Sequence, residues 1–113
     1  MRIKKCLILL LFAAFAGCTA PMNMNTVVNE PNFSGIVEEV YDGSILVRVN
    51  EGEDERKSSD LMSVSLNTML ADSMTHFSVG DEVRVYYDGY IAESYPAQIH
   101  SVYAITLVTP QDR

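Results

Sequence analysis

Two runs early in the chain have the hydrophobic spacing of a β-hairpin. Residues 45–50 read Ile-Leu-Val-Arg-Val-Asn, and residues 33–40 are similarly rich in β-branched side chains. Alternation with a period of two predicts strands that bury one face. The pair Asp42-Gly43 lies between the runs and is typical of a type I′ turn, which needs positive φ at both central residues. The pattern therefore predicts a core hairpin.

The second half of the chain shows the same alternation in shorter runs. Residues 61–65 form one candidate strand, and residues 82–87 form another in which Val, Val and Tyr face one way. A second Asp-Gly pair, at residues 88–89, predicts a reversal into a strand over residues 90–94. The last strand is expected from residue 98 to about residue 109, where apolar residues occur on both faces.

One segment departs from this period of two. Apolar residues fall at positions 66, 69, 70, 74 and 77, close to a period of 3.6, and Asn67 is available as an N-cap. We expect a short helix there, with Met69 and Met74 as packing residues. Five to six strands with a helix before the fourth indicate a small, mainly β protein, an antiparallel OB-like barrel. The alternative is an open sheet with the helix on one face.

The first 17 residues have the layout of an export signal. Three basic residues precede an apolar run that ends in Ala16-Gly17-Cys18. The run is too short for a membrane span, which needs about 20 apolar residues. Its small-small-Cys ending resembles the lipobox of bacterial lipoproteins, although Phe15 stands where that family prefers Leu. The resemblance implies acylation of Cys18 and cleavage before it; ordinary signal cleavage is the alternative.

Cleavage at that point would define the domain organisation and the charge of the product. Residues 18–32 carry Asn, Pro and Thr without sustained periodicity and are expected to form a flexible tether, followed by a β domain over residues 33–113. The product has five basic and fifteen acidic residues, a net charge of −10. An acidic surface disfavours a nucleic-acid partner. With Cys18 acylated, no disulfide can form.

Few residues are candidates for catalysis or for binding a metal or cofactor. The loop over residues 50–60 has no apolar member, and its acidic residues do not follow an EF-hand pattern, so we expect a solvated loop and no metal. His76 and His100 have no spaced partner, and no nucleophile elbow, phosphate-binding loop or zinc-ligand pair is present. No catalytic residue and no cofactor is therefore predicted.

Residues 89–98 form the least generic part of the sequence. They read Gly-Tyr-Ile-Ala-Glu-Ser-Tyr-Pro-Ala-Gln and follow a Gly-Asp-Glu-Val segment at residues 80–83. Together with a Phe-x-Gly-Ile-Val start at residue 33, they resemble the YobA-like domain of unknown function, over most of residues 33–108. The resemblance implies a compact β domain outside the membrane, largely in Gram-positive bacteria, and no known activity.

Two interpretations of this stretch remain open. Pro96 fits a bulge or a corner between strands, with its polar neighbours satisfying backbone groups, and the preceding bond can be cis. Alternatively the stretch forms a ligand surface, because tyrosine supplies amphipathic contact area. The candidate ligand-binding residues are Tyr86, Tyr90, Glu93, Tyr95 and Gln98.

The leading functional hypothesis is a non-enzymatic, lipid-anchored module on the extracytoplasmic face of the cell membrane. It is expected to bind a protein, a peptide or another envelope component. The alternative is a structural or envelope-stress lipoprotein without a specific ligand, and a hydrolase is the third possibility.

Overall fold

The domain is a single curled sheet with two short helices. A computed structural model describes residues 23–70 and 73–108. The elements in chain order are α1 (Met24–Val27), β1 (Asn32–Val40), β2 (Ser44–Val49), a 3₁₀ helix (Asp54–Lys57), β3 (Leu61–Ser65), β4 (Glu82–Tyr87), β5 (Ala97–Ile99) and β6 (Val102–Leu107). The predicted export signal, Cys18 and the expected strand end at residue 109 lie outside the described residues. The mainly β class with six strands is confirmed.

The strand order explains the barrel-like shape. The sheet runs β5-β3-β2-β1-β4-β6, so β5 and β6 stand at its opposite ends. Only His100 and Ser101 separate these two strands in the chain. The sheet must therefore curl enough to bring its two end strands near each other, as in an open OB-like barrel, although β5 and β6 are not paired. It is mixed and not purely antiparallel, because β3 and β5 pair in parallel.

Alternating side chains from all six strands fill the interior. Phe33 and Tyr87 meet edge to face, with ring centroids 5.8 Å apart and an interplanar angle of 82°. The fully buried aliphatic side chains alternate with outward ones as the sequence predicts, and they include Ile45, Val47, Val49, Met62, Val64, Val83, Val85 and Ile99. This core stabilises the domain without a disulfide among the described residues.

The predicted hairpin forms, but its turn differs from the predicted type. β1 and β2 pair antiparallel from Gly35–Val49 to Val40–Ile45, with a bulge between Val37 and Glu39. Neither Asp42 nor Gly43 has positive φ, so the turn is not type I′. A type I′ turn is favoured in hairpins because it matches the right-handed twist of the two strands. Here the bulge in β1 already increases the local twist, so another turn type can connect the strands.

The segment after β3 is not helical in its described residues, and the predicted helix over residues 66–77 is wrong. The Met69 and Leu70 amides donate to the Val102 and Tyr103 carbonyls, at 2.9 and 3.0 Å. Ser73 bonds through its hydroxyl to the backbone of Ile105. The backbone groups that a helix would use internally therefore cover the free edge of β6. Met69 and Met74 are exposed, whereas Leu66 and Phe77 pack against the core.

Two other segments also differ from expectation. Residues 90–94 form no strand: only Ala92 makes an isolated bridge, to Gln98, because β6 takes the free edge of β4. Residues 23–32, assigned to the tether, are structured. Asn23 caps α1 with a capping box, Val27 is fully buried and β1 begins at Asn32. The burial of Val27 explains why this polar segment packs on the domain.

Candidate functional site

Two loops at the same end of the barrel enclose a cleft. By the strand pairing, the loop between β2 and β3 and the loop between β4 and β5 both leave this end. The cleft between them, called the interloop cleft below, has a volume of about 440 Å³ and is lined by Lys57, Ser58, Ile91, Glu93, Ser94 and Ala97. It combines one positive charge, one negative charge and two hydroxyls. Such a lining suits a polar ligand that carries both charges.

Tyr95 connects this loop to the outer face of the sheet. Its hydroxyl donates to Asp60 Oδ1 at 3.0 Å, and Arg48 Nη1 lies 3.5 Å from Asp60 Oδ2. Arg48 Nε also donates to Glu38 Oε2 at 2.6 Å. The hydrogen bond to Asp60 raises the pKa of Tyr95. Tyr95 as a whole remains 69% exposed, so an aromatic side chain is held in one position beside the cleft loop.

The corner at Pro96 is tied together by local hydrogen bonds. The Tyr95–Pro96 peptide bond is cis. The Ser94 hydroxyl donates to the Pro96 carbonyl at 2.8 Å, and Ala92 and Gln98 exchange two backbone hydrogen bonds of 2.8 and 3.1 Å. Ser94 is therefore engaged in the structure of the corner, as the structural interpretation of this stretch expects.

The structure does not bring all five candidate residues together. Glu93 lines the interloop cleft, and the Tyr95 side chain lies on the neighbouring outer face. Gln98 points outward from β5 into a separate groove. Tyr86 is half-buried on β4, and Tyr90 is exposed with its amide bonded to Asp88 Oδ1 at 2.9 Å. Neither Tyr86 nor Tyr90 lines the cleft.

The acidic loop over residues 50–60 is more ordered than the sequence predicts. Glu53 Oε2 accepts hydrogen bonds from the Ser34 amide at 3.1 Å and the Ser34 hydroxyl at 2.7 Å. Glu55 Oε2 accepts the hydroxyl of buried Tyr87 at 2.8 Å. Burial, and then this contact, raise the pKa of Tyr87. The expected solvated loop is therefore fixed to β1 and β4 by two carboxylates.

A polar cluster around the same loop was not identified from the sequence. Asn50 Nδ2 donates to Ser34 Oγ at 2.9 Å and to Glu82 Oε2 at 3.0 Å. Arg84 Nη1 donates to Asn32 Oδ1 at 2.7 Å. The only sequence signal is a polar residue at alternate positions of β1 and β4, which also fits an ordinary outward face. The cluster holds the loop that forms one wall of the cleft.

A metal site and a membrane-spanning helix each place requirements on the described part of the chain. Among residues 23–70 and 73–108, no three His, Cys, Asp or Glu side chains are grouped to hold a metal ion. His76 and His100 are both exposed. Within the same ranges, no helix is long and apolar enough to cross a bilayer.

Comparison with known proteins supports the same fold. None of the curated proteins matches this chain in sequence. The crystal structure of a yobA protein from Bacillus subtilis superposes with a TM-score of 0.50 at 15% identity, over 69% of this chain and 94% of that one. Residues 34–108 match the family described as protein of unknown function (DUF3221). The chain therefore belongs to this family of proteins of unknown function.

Proposed function

We propose that this protein is a lipid-anchored, non-enzymatic binding module on the extracytoplasmic face of the cell membrane. Its partner is a protein, a peptide or another envelope component. The anchor is supported by the leader that ends in Ala16-Gly17-Cys18. The binding role rests on one observation: the interloop cleft lies beside a loop whose exposed Tyr95 ring is fixed by its hydroxyl.

A fixed aromatic ring favours binding for an entropic reason. Ordering a free side chain at an interface costs about 0.5–1.5 kcal/mol. The hydrogen bond from Tyr95 to Asp60, with Arg48 behind it, has already restricted the ring before any partner arrives. Tyrosine also contributes both apolar area and a polar edge. Tyr95 therefore serves as the anchor for the partner, and the charged side chains that line the cleft, Lys57 and Glu93, orient it.

Site-specific photo-crosslinking in intact cells tests the binding role. A photoreactive phenylalanine analogue replaces Ser58 in the full chain, because Ser58 lines the cleft and its replacement leaves Tyr95 and the hydroxyl bond to Asp60 intact. The same analogue replaces Val79 as the control, since Val79 is also exposed but lies in the loop before β4. We expect a discrete crosslinked product from position 58 and none from position 79. Absence of any product from position 58 contradicts the binding role.

The structural alternative has an observation in its favour, because the Tyr95 hydroxyl is used within the protein. Two variants separate the proposals. Tyr95→Phe removes only the hydroxyl, and Tyr95→Ala also removes the ring. A folded Tyr95→Ala variant that loses the product crosslinked from position 58 supports binding. A Tyr95→Ala variant that fails to fold, beside a stable Tyr95→Phe, supports the structural role.

A further inference from the structure

A second surface lies on the outer face of the sheet, away from the interloop cleft. It is a groove of about 120 Å³, called the sheet-face groove below, and its lining comes from the β1–β2 turn, β3, β5 and the residue after β5: Gly43, Ser44, Ser63, Ser65, Gln98, Ile99 and His100. None of these residues is Asp, Glu, Lys or Arg. The groove is thus uncharged in a protein that is otherwise strongly acidic.

Strand register explains why these side chains converge. Ser44 pairs with Ser65, and Ser63 pairs with both Leu46 and Gln98. The alternating partners Ile45 and Val64 are fully buried. Because side chains alternate along a strand, the hydroxyls and the amide must point to the outer face. The outer faces of β2, β3 and β5 therefore carry neighbouring hydrogen-bonding side chains, and half-buried Leu46 lies beside them.

The polar side chains of this groove make few hydrogen bonds within the described part of the protein, unlike several serines elsewhere in the domain. Among the hydrogen bonds within the described ranges, none uses the side chains of Ser44, Ser63 or Gln98, and Ser65 Oγ only accepts one from the Asn67 amide at 3.1 Å. By contrast, Ser34, Ser59 and Ser94 all bond within the protein. Hydroxyls and amides each offer both donors and acceptors. They can therefore exchange water for a ligand that is itself rich in hydroxyls.

Charge narrows the class of ligand. An anionic chain such as a nucleic acid is repelled by the negative net charge of the protein, −7 for the whole chain, and a cationic ligand finds no carboxylate in the lining. A neutral chain of sugars is not repelled by the negative net charge, and it needs no carboxylate in the lining. Its hydroxyls match the serine and glutamine groups, and the C–H face of a sugar ring can pack on Leu46.

We propose that the sheet-face groove binds a neutral oligosaccharide. This site is distinct from the interloop cleft, and it depends neither on lipid anchoring nor on the partner proposed above. Ser63 and Gln98 are its central pair, because they face each other across β3 and β5. The flanking hydroxyls of Ser44 and Ser65 then define how far the sugar chain extends along the strands.

Calorimetric titration of the full chain in detergent tests this inference with defined probes. The probes are chitotetraose, cellotetraose, a neutral Gly-Ser hexapeptide and a thymidine oligonucleotide. We expect heat of binding with at least one tetrasaccharide and none with the other two probes. A response to the hexapeptide or the oligonucleotide in place of the sugars overturns the proposal, as does silence with both tetrasaccharides at millimolar concentration.

A matched pair of variants locates the site. Ser63→Ala with Gln98→Ala removes the central pair, of which Ser63 is half-buried and Gln98 exposed. Loss of two hydrogen bonds predicts affinity about tenfold weaker. Thr106→Ala on β6 is the control, since it removes a half-buried hydroxyl from another strand that does not line the groove. Thermal unfolding confirms that both variants fold. Equal sugar affinity in the two variants overturns the assignment to this groove.

Discussion

Gly35 lies in the middle of β1, paired with Val49 of β2 on one side and Val83 of β4 on the other. A Cβ atom at this position would lie 2.5 Å from the Arg48 carbonyl oxygen and 2.5 Å from Val47 Cγ1. No side-chain rotation can relieve a clash with backbone. The coiling of β1 against β2 therefore requires glycine here.

Gly35→Ala tests that requirement. Because the added methyl group meets both backbone and core, we expect the free energy of unfolding to fall by about 3 kcal/mol. Gly43→Ala is the control: nothing lies within 4 Å of its Cβ position and its φ is not positive. Urea denaturation measures both. Equal stability of the two variants contradicts this account of the barrel.

Ionisation of Tyr87 makes the stability of the folded protein depend on pH. Burial raises its pKa in the folded protein, and Glu55 raises it further. An unfolded tyrosine ionises near about pH 10. The stabilisation by the neutral phenol is thus complete below that pH. It is lost as pH rises above it, because the unfolded state then ionises first.

Tyr87→Phe should reveal this contribution. At pH 7 we expect a loss of about 1 kcal/mol in unfolding free energy, since the hydrogen bond to Glu55 disappears. Above pH 10 the difference between the two proteins should shrink, because only the wild type has this phenol to ionise. Urea denaturation at both pH values measures it, with exposed Tyr90→Phe as control. A constant difference would show that Tyr87 does not drive the alkaline loss.

At the scale of elements, the acidic loop over residues 50–60 is held in place by tertiary contacts. Glu53 and Glu55 bond to Ser34 and Tyr87, and Arg56 Nη1 donates to the Val49 carbonyl at 2.8 Å. Ser34 is only 6% exposed, so its amide and hydroxyl would lose their partner if Glu53 were removed. These contacts hold one wall of the interloop cleft.

Glu53→Ala with Glu55→Ala should release the loop. Trypsin cleaves after Arg56 and Lys57, and we expect cleavage there to be at least about tenfold faster, because local opening costs less free energy. Glu51→Ala is the control, as Glu51 is exposed and lies in the same loop. Timed digestion followed by mass spectrometry identifies the site. Unchanged cleavage in the double variant would mean that the backbone alone orders the loop.

The loop after β3 illustrates how tertiary structure can override a local pattern. The spacing of apolar residues in 66–77 fits a helix, and the sequence offers no reason to reject it. In the fold, however, β6 presents an unpaired edge, and the amides of Met69 and Leu70 bond to it. Pairing with an existing edge satisfies backbone groups that a short isolated helix would leave open at its ends.

The candidate site was predictable only in part. The sequence singled out Glu93 and Tyr95, which lie at or beside the interloop cleft. It could not separate Gln98, which belongs to another surface, or identify Lys57 and Ser58 as the opposite wall. Residues 57 and 93 are far apart in the chain. Only the pairing of β3 with β5 brings their loops together.

At the scale of the whole molecule, the structure shortens the expected tether. The described domain begins at Asn23, five residues after Cys18. Five residues extend at most about 17 Å. Under the lipid-anchor proposal, the domain is therefore held close to the membrane surface, where its net charge of −10 keeps it apart from anionic head groups.

Cys18→Ser tests the anchor in the full chain. We expect the variant to lose labelling by radioactive palmitate and to remain as uncleaved precursor, because the thiol is the acceptor of the lipid. Cys6→Ser is the matched control: Cys6 lies within the leader and should leave labelling and processing unchanged. Normal maturation and membrane retention of Cys18→Ser would falsify the anchor.

The sequence by itself determined the mainly β class, the inward-facing residues of the strands, the β1–β2 hairpin and the acidic, disulfide-free character of the domain. These properties follow from alternation, composition and neighbours in the chain. The tertiary structure alone decided the parallel β3–β5 pair, the ordering of the acidic loop, the non-helical segment after β3 and the two separate surfaces. Each depends on contacts between distant segments, and such contacts have no periodic trace in the sequence.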